Sequence, residues 1–137
     1  MRRDIWAVLA GAVFWIGIVM CLRLLVRLIW PEYAAAEGVF AFTLPMRLSR
    51  LTVGAVAMVI ASLVTGMLSQ RPDVTTIVLG SIVFLGAVPD HIVVWNKYPV
   101  WYHFTFFASL LPLSFLGGKV GSRWQMNRRP DRSIQSP

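Results

Sequence analysis

Asp90, His91 and His103 are the residues of this chain whose types and spacing could carry chemistry. They flank a short turn, Asn96-Lys97-Tyr98-Pro99, which Trp95, Trp101 and Tyr102 also crowd. An imidazole titrates near neutral pH, ligates metals and relays protons. A carboxylate such as Asp90 can orient one ring, as it does in metal and proton-transfer sites. A metal reading would use His91, His103 and a carboxylate, although no tight ligand spacing supports it. A haem or quinone reading would use the two histidines with the surrounding aromatic rings. The plainer reading is structural: these side chains close hydrogen bonds at the kink around Pro89 and anchor the membrane interface. Arg23 and Arg27, one helical turn apart, form a second candidate. On one helix face they could hold a lipid phosphate or an anionic substrate. The competing reading is that they snorkel to the headgroups or pair with Glu32 or Glu37.

The elements that position these groups follow from the apolar blocks. The chain has 137 residues, 57% of them hydrophobic and 14% charged, whereas soluble domains are about 45–50% apolar and about 25% charged. The apolar residues come in blocks able to cross a hydrocarbon core, which takes about 20 residues of helix. Four spans are expected, at about 5–28, 50–68, 74–94 and 99–117, giving an all-α, four-helix transmembrane bundle. The first block follows Arg2 and Arg3 like a signal peptide, but it exceeds the roughly 7–15 apolar residues of a secretory core and is expected to stay as an anchor.

Pro31 ends or kinks the first helix. The stretch 31–49 mixes Glu32 and Glu37 with Val39, Phe40, Phe42 and Leu44, as a loop with a short interfacial helix would, and Pro45 breaks it again. The second span is rich in small residues. Gly54, Ala57, Ala61 and Ser62 would let a neighbouring backbone approach, in this chain, in a second copy or in a partner membrane protein. A polar turn at 69–73 makes the next two helices antiparallel neighbours. Pro89 kinks the third span, which is expected to continue towards Trp95. Pro99 suits the start of the fourth span, and Gly117-Gly118 its stop. The segment 119–137 reads as a basic, disordered cytoplasmic tail.

Net charge is +7. The basic residues sit at block ends and form no stripe, so topology accounts for them and nucleic acid is not expected as a partner. Arg2, Arg3, Arg71, Lys119, Arg123, Arg128, Arg129 and Arg132 would share one side of the membrane. Arg23, Arg27, Arg47, Arg50 and Lys97 would share the other. The larger basic group places both termini in the cytoplasm. Trp30, Trp95 and Trp101 fall at the outer edges, as an aromatic belt requires. The single cysteine, Cys21, excludes an internal disulfide and a cysteine-based metal quartet. No phosphate-cradling loop, HExxH, GxSxG or dinucleotide fingerprint is present, so enzymatic activity is not expected.

The run Lys97-Tyr98-Pro99-Val100-Trp101-Tyr102-His103-Phe104, with Gly117-Gly118 closing the helix it opens, resembles a segment of small bacterial four-span membrane proteins. The resemblance covers about the last quarter of the chain. It implies a bacterial inner-membrane protein and supplies no substrate, cofactor or catalytic residue. The leading expectation is a structural or accessory membrane protein. The alternatives are an outer-face metal-, haem- or quinone-binding module using His91 and His103, and a small transporter subunit.

Overall fold

The computed structural model describes residues 1–127. Five α-helices follow one another: α1 (Arg2–Ile29), α2 (Pro31–Val39), α3 (Leu44–Leu68), α4 (Pro72–Val93) and α5 (Val100–Asn127). A 3-10 turn, Trp95–Lys97, joins the last two. The helices α1, α3, α4 and α5 are each long and apolar enough to cross a membrane. The chain is thus an all-α, multi-pass membrane protein. A bilayer core offers the backbone no hydrogen-bond partner, and a helix satisfies its own.

Proline marks the helix starts. Pro31, Pro45 and Pro72 each lie in a first turn, where the missing N–H costs nothing and the ring presets φ. Pro45 therefore opens α3 instead of breaking a loop, and the second span begins several residues earlier than expected. The helix expected between 31 and 49 is α2. It ends on Phe40 in the left-handed conformation, φ 56°, which reverses the chain and delivers Phe42 to the interior. Pro89 lies inside α4, which continues to Val93 as anticipated. Pro112 lies inside α5. In an apolar medium neighbouring helices can accommodate such breaks in the backbone ladder.

The expected stop at Gly117-Gly118 is not a stop: α5 runs on to Asn127. Residues 119–127, expected to be disordered tail, are therefore helical, and the remainder of that segment, 128–137, lies outside the described residues. The physical reason is packing. α3 lies at the centre, against α5 above all and then against α1. A Cβ on Gly66 would strike the backbone of Gly118, and one on Gly121 the backbone of Leu63. These glycines permit helix contact instead of ending a helix.

Gly54, Ala57, Ala61 and Ser62 are all buried. The expected small-residue face thus exists, and it is occupied by helices of the same chain. A Cβ on Gly11 of α1 would meet the carbonyl of Ala61 and the side chain of Thr65. A Cβ on Gly117 of α5 would meet Ser62.

Two apolar clusters fill the bundle. One joins Met58, Ala61, Leu79, Val83 and Leu110 at mid-depth. The other joins Tyr33, Ala36, Phe42, Met46, Tyr98 and Tyr102 at the end where α2 sits. The opposite end is tied by Asp4. Its Oδ1 accepts from Ser69 Oγ at 2.9 Å and from the backbone N–H of Gln70 at 2.8 Å. Arg3 Nε donates to the Leu68 carbonyl at 2.8 Å. The start of α1 is thereby fastened to the α3–α4 turn.

Candidate functional site

The α2 end of the bundle gathers the C-termini of α1 and α4, the N-termini of α3 and α5, and α2 itself. Residues of the sequence candidates converge there. His91 is on the last turn of α4 beyond Pro89, and His103 is on the first turn of α5. Both are buried, and their Nδ1 atoms lie 2.7 Å apart. At that distance one ring donates and the other accepts, so the two nitrogens share one proton. Aromatic rings hold the pair. Trp95 stacks on His103, centroids 4.5 Å apart, and Phe106 and Phe107 each lie 4.6 Å from His91. His103 Nε2 is buried and has no hydrogen-bond partner among the described residues.

Asp90 does not join this pair. It is exposed and makes no hydrogen bond to either ring among the described residues. The physical reason is helical phase: neighbouring residues on a helix project about 100° apart, so burying His91 turns Asp90 outward. No group of three or more His, Cys, Asp or Glu among the described residues is placed to hold a metal ion.

The two arginines of α1 part company. Arg27 pairs with Glu37 of α2, Nε to Oε2, at 3.4 Å. Arg23 instead lines a cleft between the helices. This cleft, of about 510 Å³, runs between α1, α3 and α4, with Tyr102 and Phe106 of α5 in its wall. Its depth is apolar, with Trp15, Ile16, Val53, Ile82, Val83 and Phe106 in its walls. Its polar end carries Arg23, Arg50, Asp90, His91, Tyr98 and Tyr102.

Arg50 is the side chain at this end that the sequence did not single out. It lies one turn and a half into α3, 13% exposed, where a lone charge would be costly. Its Nη1 donates to Glu37 Oε1 at 3.2 Å and to the Tyr33 hydroxyl at 3.3 Å. Its guanidinium lies 4.9 Å from the Phe42 ring centre and 5.8 Å from that of Tyr98, within the range of cation–π attraction. The signal that could have found it is its position: a basic residue at the start of a span, on the same side as Arg23, facing a loop with two glutamates.

Tyr98 precedes α5 and is buried against Phe42 and Tyr102. Burial pushes its hydroxyl up to about 12, against the opposing pull of Arg50 and Arg23. The phenol therefore remains a donor throughout the physiological range, and its oxygen has no hydrogen-bond partner among the described residues.

The hydroxyls in the other half of the bundle bond to backbone carbonyls. Ser62, Thr65, Thr76 and Ser114 each donate to a carbonyl of their own helix, and the Thr65 hydroxyl also lies 3.3 Å from the Ala7 carbonyl of α1.

Fold and site together define a class: a multi-pass membrane protein with an interhelical cleft that is apolar in its depth and cationic and aromatic at one end. No family model, no curated protein and no solved structure matches the chain. The functional reading rests on the residues themselves.

Proposed function

We propose that this chain binds a small amphipathic molecule in the cytoplasmic membrane of a bacterium, with both termini in the cytoplasm and the polar end of the cleft at the outer face. The observation that carries the reading is the cleft of about 510 Å³ and its graded lining. Small-molecule sites occupy roughly 300–1,000 Å³, apolar with a few convergent polar groups. A hydrocarbon body would lie against Ile16, Val53, Ile82 and Phe106, and a polar head would meet Arg23, Arg50 and His91. In this reading the His91–His103 pair fixes the ring of His91 in the cleft wall. The basic residues flanking the termini support the orientation.

A structural or accessory role is the second reading. It is favoured by the pairing of Arg27 and Arg50 with Glu37, which ties α2 to α1 and α3 and needs no ligand.

Gly86 separates the two. It lines the cleft, and a Cβ there meets nothing within 4 Å. Gly86→Phe fills the cleft without striking backbone. Gly17 is equally open and lies outside the cleft, so Gly17→Phe is the control. Native mass spectrometry of the full chain with a dodecyl-chain probe is expected to give at least about tenfold weaker retention in Gly86→Phe and wild-type retention in Gly17→Phe. Equal retention in all three proteins would leave the structural reading.

A further inference from the structure

We propose that Arg23, Arg50 and the Tyr98 hydroxyl form a head-group site for an anionic amphiphile, one whose phosphate or carboxylate oxygens accept from all three. This deepens the amphiphile reading and rests on it. The three groups come from three different elements, α1, α3 and the turn before α5, and all line the same end of the cleft. Each has donor capacity left over. Glu37 is shared between Arg27 and Arg50, and Arg23 has no ion pair among the described residues. Arg50 spends Nη1 on Glu37 and Tyr33 and is also hydrogen-bonded with Tyr102, while its Nε is buried with no hydrogen-bond partner among the described residues. Tyr98 is 6% exposed, and its hydroxyl is likewise buried and unpartnered among the described residues.

Buried donors are normally satisfied, and exceptions call for a reason such as a ligand. The Arg50 guanidinium lies 5.8 Å from the Tyr98 ring centre, and Arg23 lines the same cleft. Asp90 lines the α4 wall of the same cleft but makes no ion pair with either arginine. Two guanidinium groups and a phenol, with one carboxylate already divided between two arginines, leave positive charge for an incoming anion. Guanidinium forks match phosphate and carboxylate oxygens. The apolar walls below select a hydrocarbon tail over a free ion.

Calorimetric titration of the full chain in a nonionic amphipol tests this with four probes: dodecyl phosphate, dodecanoate, 1-dodecanol and inorganic phosphate. The two anionic amphiphiles are expected to bind at least about tenfold tighter than 1-dodecanol, the scale of a charge-assisted contact. Arg23→Gln alters an exposed side chain and should weaken the two anionic amphiphiles several-fold more than 1-dodecanol, narrowing that preference. Tyr98→Phe should weaken the anionic probes more than 1-dodecanol. If 1-dodecanol binds as tightly as the anions and Arg23→Gln changes nothing, the head-group site is overturned while the amphiphile reading stands. If inorganic phosphate binds as tightly as dodecyl phosphate, the anion site stands and the amphiphile reading falls. Binding of none of the four overturns both.

Discussion

The shared proton between His91 and His103 makes each ring depend on the other. Removing one imidazole leaves the partner's Nδ1 buried without a hydrogen bond, which costs about 1–3 kcal/mol. Removing both with apolar side chains leaves no polar atom stranded. His91→Leu and His103→Leu are therefore each expected to destabilise the protein by about that amount, and the double variant by less than their sum. Thermal unfolding in mild detergent, read as a double-mutant cycle, checks this coupling. Strict additivity would show that the 2.7 Å contact contributes nothing to stability. Arg50 obeys the same logic with a larger stake. It is held by Glu37, Tyr33 and the faces of Phe42 and Tyr98, and breaking a buried ion pair from one side costs about 3–5 kcal/mol.

At the scale of elements, the stability of the bundle depends on how closely α3 approaches its neighbours. Ala61 is fully buried, and a side chain on Gly66 would strike the Gly118 backbone. Ala61→Leu and Gly66→Leu are each expected to cost about 1–3 kcal/mol by overpacking. Val56, on the exposed face of α3, should accept leucine within about 0.5 kcal/mol. Comparing melting temperatures of the three variants measures the difference, and equal tolerance would mean that the close approach is not stabilising. The helix α2 acts as a strap. Its Glu37 joins Arg27 on α1 to Arg50 on α3, so one carboxylate holds three elements at the end where the cleft carries its polar groups.

The whole molecule has two differently built ends. At one, Asp4 and Arg3 fasten the start of α1 to the α3–α4 turn through direct hydrogen bonds. At the other, aromatic rings and arginines surround a cleft. α1 and α5 have 28 residues each, about 42 Å at 1.5 Å per residue, longer than a hydrocarbon core of roughly 30 Å, so they tilt or project from it. The proposed orientation predicts that reporter fusions at Asn96 and at Gln135, the latter outside the described residues, report opposite sides, with Gln135 cytoplasmic. A periplasmic Gln135 would invert the assignment and put the cleft's polar end in the cytoplasm.

The number of spans, a short helix before Phe40 and the continuation of α4 past Pro89 were legible from sequence, because hydrophobic blocks and proline act locally and need no knowledge of neighbours. That His91 and His103 lie at similar depth was legible too, since a short turn forces α4 and α5 together. Whether they faced each other was not, because helical phase beyond a proline is set by packing. The same packing turned Asp90 outward, separated Arg23 from Arg27, and made Gly117 and Gly118 contact points inside a continuing helix. Arg50 is the plainest case. By sequence it is a charge at the head of a span, weighing against the positive-inside pattern; in the folded chain it is a buried cation beneath aromatic rings. Local order follows from the covalent chain and its solvent, whereas the partners of a side chain depend on residues dozens of positions away, and only the assembled bundle brings those together.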